Sequence, residues 1–301
     1  MEAAYHIPVM LDECLEALSI VPDGVYVDLT FGAGGHSKAI LTELGAKGRL
    51  FSFDQDEDAA QNDLGDSRFV LIQSNFRYVA EYMRVYEKEE VDGVLMDLGV
   101  SSHQFDIAER GFSYRFDSIL DMRMNQRSIM TAQNILNSYQ SKDLQRVFSE
   151  YGEVRNARTL AKKIVEERER SPIATSDELN LLLKKYRIGD FQKYQSQVYQ
   201  ALRIEVNDEM GALEDALKGV VQVLKPGGRL VVLTYHSIED RIVKKFIKTG
   251  NPEGKLEKDD FGRIIRPLSI INKKPILASA TELARNSRSR SAKLRIAEKV
   301  K

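Results

Sequence analysis

The sequence predicts an α/β fold, a parallel sheet with helices on both faces, interrupted by an all-α insertion. Three observations carry this reading. Short β-rich runs alternate with helical stretches through the first third of the 301 residues, the pattern of βαβ units. Sheet character is then absent from about 105 to 206, where apolar residues recur at helical spacing. It returns at Gly228–Tyr235.

In chain order, the first four strands are Gly24–Phe31, Arg49–Asp54, Phe69–Ser74 and Val91–Leu98. Their apolar runs are nearly continuous, as expected of strands covered on both faces. Helices fill the gaps at about Ser37–Leu44, Glu57–Leu64 and Tyr78–Tyr86. In the insertion, Leu144, Val147 and Phe148, and then Leu160, Ile164 and Val165, keep the spacing of one helix face. An amphipathic helix near Glu209–Leu224 ends in the turn Lys225-Pro226-Gly227-Gly228, where proline removes a donor and glycine permits positive φ. Strand five, Gly228–Tyr235, completes the sheet. A helix near Ile238–Lys248, an irregular segment from Thr249 to Asp260 and edge strands around Ile264–Ile271 and Leu294–Val300 follow. The expected division is residues 1–104 with 207–301 as the sheet domain and 105–206 as the helical insertion.

At 43% hydrophobic the chain suits one large core or two modest ones. Cys14, the single cysteine, excludes an internal disulfide and predicts no disulfide-linked partner, which fits a reducing cytoplasm. From Met1 to Asp12 there is no basic run followed by an apolar one, and no segment approaches the roughly 20 apolar residues that span a bilayer. The expectation is a chain neither exported nor membrane-embedded. The cations and anions, 44 Lys plus Arg against 45 Asp plus Glu, nearly cancel, so clusters matter more than the sum. One cluster is Arg285, Arg288, Arg290, Lys293, Arg295, Lys299 and Lys301; another is Arg155, Arg158, Lys162 and Lys163, flanked by Glu150, Glu153, Glu166 and Glu167. Each is read either as a solvated face or as a binding face.

In an open parallel sheet, ligands bind outside the carboxyl ends of the strands where the strand order reverses. The loop after strand one, Thr30-Phe31-Gly32-Ala33-Gly34-Gly35-His36-Ser37, falls there. Its glycines allow a tight turn and close approach to a ligand, and the next helix offers unpaired N–H groups to an anion. A dinucleotide fingerprint reads G-x-G-x-x-G/A, with glycine or alanine at the sixth position from Gly32, where this chain has Ser37, so a nicotinamide cofactor is disfavoured. Asp54 ends strand two about 20 residues after the loop, placed either to bind ribose hydroxyls or to cap the helix near Glu57, a task that suits Asp56 better. Phe76, just past strand three, suits either an adenine ring or the core.

Seven ordered motifs add a resemblance: Pro22-Asp-Gly24, Asp28-x-Thr-Phe-Gly-x-Gly-Gly-His-Ser37, Asp97-Leu-Gly-Val-Ser-Ser102, Glu109-Arg-Gly-Phe-Ser113, Leu120-Asp-Met-Arg123, Pro226-Gly-Gly-Arg229 and His236-Ser-x-Glu-Asp-Arg241. Together they closely resemble the RsmH (MraW) ribosomal RNA methyltransferases, from His6 to the ending Arg288-x-Arg-Ser-x-x-Leu-Arg-Ile-Ala-Glu298. The resemblance implies a Rossmann-like S-adenosylmethionine-dependent methyltransferase domain broken by a helical domain. It also implies N4-methylation of a cytidine in the decoding centre of 16S rRNA, within the small ribosomal subunit or its precursor. By resemblance the S-adenosyl-L-methionine site uses Gly34, Gly35, His36, Asp54, Phe76, Asp97 and Gln104. The chain departs from the family pattern at His103, where proline is common, and at Phe105, where leucine is common.

Transfer to an exocyclic amine needs acceptors for the amine's hydrogens and a fixed line of attack. Asp97 and the turn carbonyls of Leu98-Gly99-Val100 are the candidates, with Asp97 either catalytic or only donor-binding. His236 is read as part of the target-base pocket or as a structural histidine beside a Ser237 cap. A paired base must leave its helix to react. Grip on RNA is assigned to the insertion through Arg155, Arg158, Lys162 and Lys163, with Tyr194 and Tyr199 read first as packing helices and second as stacking on bases. Cys14, His6, His36, His103 and His236 have no zinc-ligand spacing, so no metal is expected. Two other functions share parts of this pattern: an NAD-dependent oxidoreductase, which selective donor binding would separate, and a noncatalytic ribosome assembly factor, which methyl incorporation would separate.

Overall fold

The computed structural model describes residues 7–262 and 264–300. Met1 to His6 and Lys301, which enter the N-terminal and C-terminal readings above, lie outside the described residues. The chain divides into two compact units, Met1–Gly99 with Met210–Lys301 and Val100–Glu209. The division falls at 99/100 and 209/210 rather than at the expected 104/105 and 206/207, so Gln104 belongs to the second unit.

The first unit is built on strands β1 (Val25–Asp28), β2 (Arg49–Asp54), β3 (Phe69–Gln73), β4 (Val91–Asp97), β5 (Leu224–Thr234), β8 (Leu268–Ile270), β9 (Ile276–Leu277) and β10 (Lys293–Lys299). A separate ribbon pairs β6 (Glu257–Lys258) with β7 (Ile264–Ile265). The order is β3-β2-β1-β4-β5-β10-β8, with β9 beside β10. The first five strands are parallel; β10 runs antiparallel to β5, β8 and β9. Strand order reverses between β1 and β4, so their carboxyl ends form the ligand-binding crevice of such a sheet.

Alternation of side chains gives the sheet two buried faces. Val94, Met96, Leu230 and Val232 join one core with helices α3 (Val79–Val85), α10 (Glu209–Val223) and α11 (Ser237–Thr249). Leu95, Val231 and Leu233 join the other with α1 (Leu11–Leu18) and α2 (Gly35–Glu43). Burial on both faces is why these strands read as unbroken apolar runs.

Several expected elements take a different form. The helix expected at Glu57–Leu64 is a 3-10 helix, Glu57–Asn62. Helix α2 begins at Gly35 rather than Ser37. Lys225 to Gly228 is an excursion within β5: Val91 pairs with Leu224 and Gly93 with Arg229, and the turn bulges out between them with Gly227 at φ +81°. The stretch expected as one edge strand at Ile264–Ile271 splits into β7 and β8. The last strand, β10, is interior: Arg295, mid-strand, is buried and makes a two-point ion pair with Asp240 at 2.7 and 3.2 Å.

The second unit contains α4 (Ser102–Asp106) and, around an apolar core of their own, α5 (Ala132–Ser138), α6 (Ser141–Glu150), α7 (Ala157–Arg168), α8 (Ser176–Tyr186) and α9 (Phe191–Asn207). Among the described residues its β structure is a single bridge, Ile119 to Thr175. The loop before α5 is held by Arg110, which donates to the Arg123 and Met124 carbonyls, and by the paired side chains of Asp121 and Arg123. Among the described residues no helix is long and apolar enough to cross a membrane, and no three His, Cys, Asp or Glu are grouped to hold a metal.

Candidate active site

The loop after β1 is shaped by Asp28. Its Oδ1 accepts from the Thr30 N–H at 3.1 Å and its Oδ2 from Ser37 Oγ at 2.6 Å, tying the two ends of the loop together. Ser37 Oγ also lies 2.8 Å from Ser52 Oγ on β2. Within this frame Gly34 is the N-cap of α2 at φ +76°, with no side chain capping the helix. A Cβ on Gly34 would stand 3.0 Å from the Phe31 ring, and one on Gly35 only 2.4 Å from Pro8 Cγ. The result is an uncapped helix N-terminus behind backbone that admits no side chain, a cradle for an anionic group.

Asp54, at the end of β2, faces the same loop. Its Oδ2 accepts from the Gly32 N–H at 2.8 Å and its Oδ1 from the Asp56 N–H at 2.9 Å. Burial pushes its carboxyl up to about 6 in spite of these two donors. Helix capping falls to Asp56, whose Oδ1 accepts from Asp58 N–H at 3.1 Å. Phe76 opens a 3-10 turn after β3, partly buried against the core of that face; both sequence readings of its ring are compatible with this position.

Asp97 closes β4. Its N–H donates to Thr30 Oγ1 at 2.6 Å, while its Oδ1 accepts from Tyr235 Oη at 2.6 Å. Oδ2 lies 3.7 Å from His36 Nδ1. Burial pushes the Asp97 carboxyl above the usual carboxylate range, and His36 and the Tyr235 hydroxyl act against that shift. His36 is buried in the first turn of α2, its Nε2 3.1 Å from the Val9 carbonyl.

His236 is the N-cap of α11, so the cap falls one residue earlier than the Ser237 expected from sequence. Glu239 reaches back to accept from the Tyr235 and His236 N–H groups at 2.9 and 3.3 Å. The buried His236 Nε2 makes no hydrogen bond among the described residues and lies 3.0 Å from Glu239 Oε1. Gln104, in the second unit, forms a capping box with Ser101: its N–H donates to Ser101 Oγ at 3.2 Å and its Oε1 accepts from Ser101 N–H at 3.1 Å.

The first unit thus brings Gly34, Gly35, His36, Asp54 and Asp97 to the β1 loop, and His236 to the end of β5. Sequence reasoning missed Tyr235 and the Pro8-Val9 segment. Tyr235 was legible in principle, since it lies one residue before His236 and two beyond Leu233, the register partner of Asp97. Pro8 and Val9 carried no signal, because their contacts are with residues distant in sequence.

Tyr194 and Tyr199 are packing residues. Both are buried; Tyr194 Oη donates to Asn156, and Tyr199 Oη contacts Asn180 and stacks edge-on with Tyr114. In the basic series, the part-buried Lys163 faces Glu166 at 2.6 Å and the exposed Lys162 at 3.8 Å, and Arg155 and Arg158 are exposed with no acidic partner among the described residues.

A model of the MraW methylase family matches residues 3–300. The chain is similar to the ribosomal RNA small subunit methyltransferase H of Parabacteroides distasonis, 55% identical over 301 residues and 99% of each chain. It is 53% identical over 297 residues, 98% of each chain, to the protein of that name from Flavobacterium johnsoniae. With that of Bacteroides thetaiotaomicron it shares 52% identity over 299 residues, 99% of this chain and 98% of the other.

Proposed function

The chain belongs to the MraW methylase family, and from that premise we propose that it transfers a methyl group from S-adenosylmethionine to small-subunit ribosomal RNA. The acceptor we infer is N4 of a cytidine in the decoding centre of 16S rRNA, presented by the small subunit or its precursor in the cytoplasm. The observation that carries the donor assignment is the cradle at the β1 loop, where Gly35 excludes any side chain and Asp54 and Asp97 stand at the neighbouring strand ends.

The residues fit the donor. Each Asp54 oxygen takes one backbone N–H and keeps a lone pair for a ribose hydroxyl. The uncapped start of α2 suits the donor's carboxylate. Phe76 offers a ring to adenine. When bound, the donor supplies an electrophilic methyl group on a sulfonium.

Cytosine's amine is a poor nucleophile because its lone pair is delocalised into the ring, so orienting it carries much of the rate. Tyr235 Oη holds Asp97 Oδ1 at 2.6 Å, leaving Oδ2 to accept from the amine. As the new N–C bond forms and the donor's methyl–sulfur bond breaks to leave a neutral thioether, Asp97 stabilises the positive nitrogen and takes the proton it releases; a carboxyl pushed upward by burial suits this base role. His236, at the N-cap of α11 with its Nε2 3.0 Å from Glu239 Oε1, is the side chain we assign to a polar edge of the base. The base must be extruded from pairing to reach it, with Arg155 and Arg158 of the insertion taking phosphates.

The decisive experiment incubates labelled S-adenosylmethionine with unmodified small subunits of the source organism and identifies the product by nucleoside mass spectrometry. N4-methylcytidine is expected. Donor binding without incorporation into subunits or precursors would replace this reading by that of an assembly factor.

A further inference from the structure

Residues 7–10 form a strap against the β1 loop, and its backbone groups are tied from two sides. Toward the loop, Pro8 packs on Gly35, and the Val9 carbonyl lies 3.1 Å from His36 Nε2. On the other side, Asn286 Nδ2 donates to the Ile7 carbonyl at 3.1 Å, and the Met10 N–H donates to Glu282 Oε1 at 3.1 Å. These partners lie 279 and 272 residues away in sequence and are both buried.

Met10 holds a left-handed backbone at φ +52°, a conformation that costs a non-glycine residue and persists only where its surroundings fix it. Glu282 and the first turn of α1, where Cys14 N–H donates to the Met10 carbonyl at 3.0 Å, supply that fixing. A carbonyl oxygen only accepts, so Val9 assigns a proton to His36 Nε2. The other ring nitrogen, Nδ1, faces Asp97 Oδ2 at 3.7 Å. Without the Val9 acceptor, the proton is favoured at Nδ1, where it bonds Asp97 and draws Oδ2 away from an incoming amine.

We propose that Asn286 and Glu282 are positioning residues for the donor site: they clamp the strap that sets the His36 tautomer and holds Pro8 against Gly35. This rests on the donor-site reading above. It assigns the short helix Ala280–Arg285 and the turn after it a part in transfer, although neither contributes a strand to the sheet.

The test records the long-range proton–nitrogen spectrum of the imidazoles in the full-length chain, whose four histidines make assignment tractable, with His36→Gln identifying the His36 signals. Donor affinity is measured beside it by calorimetry. Wild type should show the Nε2–H form at His36. Asn286→Ala and Glu282→Ala should each shift the population toward Nδ1–H and weaken donor binding about fivefold to tenfold, as for loss of one hydrogen bond. Glu282→Gln keeps an acceptor for Met10 and should restore the Nε2–H form. If an alanine variant fails to fold, Asn286→Asp removes the donor group while preserving shape. Folded variants with an unchanged tautomer, or with a changed tautomer and undiminished donor affinity, overturn the proposal. A wild-type chain that binds no donor, while its tautomer still responds to the variants, would overturn the donor-site reading and leave the clamp standing.

Discussion

Asp54 and Asp97 end neighbouring parts of the same sheet, and burial raises both carboxyls, yet their partners separate their roles. Asp54 accepts from two backbone N–H groups, which suits a fixed acceptor. Its carboxyl, pushed up to about 6 from 3.8, makes the folded chain hold a proton more tightly than the unfolded one. The group therefore supports folding fully below its unfolded value, and this support is lost as pH rises through about 6. Donor binding should run the opposite way, because ribose hydroxyls donate best to the ionised form. Affinity should fall about tenfold per pH unit below about 6, and Asp54→Asn should bind weakly with a flat profile; calorimetry between pH 5 and 8 checks both. Asp97, by contrast, accepts from the Tyr235 hydroxyl, which holds its carboxyl down against burial. Tyr235→Phe should raise that carboxyl further, moving the acidic limb of the transfer rate to higher pH. The rate at neutral pH should drop about tenfold with donor affinity near wild type. An unmoved limb in single-turnover rates would remove Asp97 from the role of base.

Gly111 shows how a single position decides an element. At φ +70°, a Cβ there would stand 2.4 Å from the Ile119 carbonyl oxygen and 2.8 Å from Asp121 N, backbone atoms that cannot swing aside. Gly111→Ala should cost about 2 kcal/mol or more, measured by urea unfolding of the whole chain. Elements of this kind are legible when the local pattern admits one reading: the first four strands were, because burial on both faces leaves continuous apolar runs. The first turn of α11 was not. His236-x-x-Glu239 and Ser237-x-x-Asp240 both resemble capping boxes, and only the end of β5 at Thr234 selects the earlier one. Strand β10 misled for a different reason. Arg295 in mid-strand looks like an edge residue, and its partner Asp240 lies 55 residues away on α11. The same limit applies to the site: the glycine loop, Asp54 and Asp97 sit at strand ends that sequence locates, whereas the strap at Ile7–Met10 depends on Asn286 and Glu282.

At the scale of the whole molecule, the insertion occupies the connection between β4 and β5, two strands paired in parallel. A long crossover is obligatory there, so a helical unit can be added without breaking the sheet. A formal net charge of −1 gives no attraction to RNA, and much of the C-terminal basic run is already committed. Arg295 and Lys293 face Asp240, Arg285 pairs with Glu282, and Lys299 donates to the Val221 carbonyl. In the insertion all three of Lys162, Arg155 and Arg158 are exposed, but Lys162 shares the Glu166 carboxylate with Lys163 and so offers a partly neutralised charge. Phosphate contact should therefore be concentrated in the two arginines rather than spread over the four cations that the sequence groups together. Arg155→Glu with Arg158→Glu should weaken binding to small subunits and reduce the slope of log affinity against log salt by about 1 per arginine. Lys163→Ala should leave that slope close to wild type, and donor affinity should be unchanged in both variants. Filter binding across a salt series measures the slopes; equal slopes for wild type and the double reversal would move the RNA-binding face away from the start of α7.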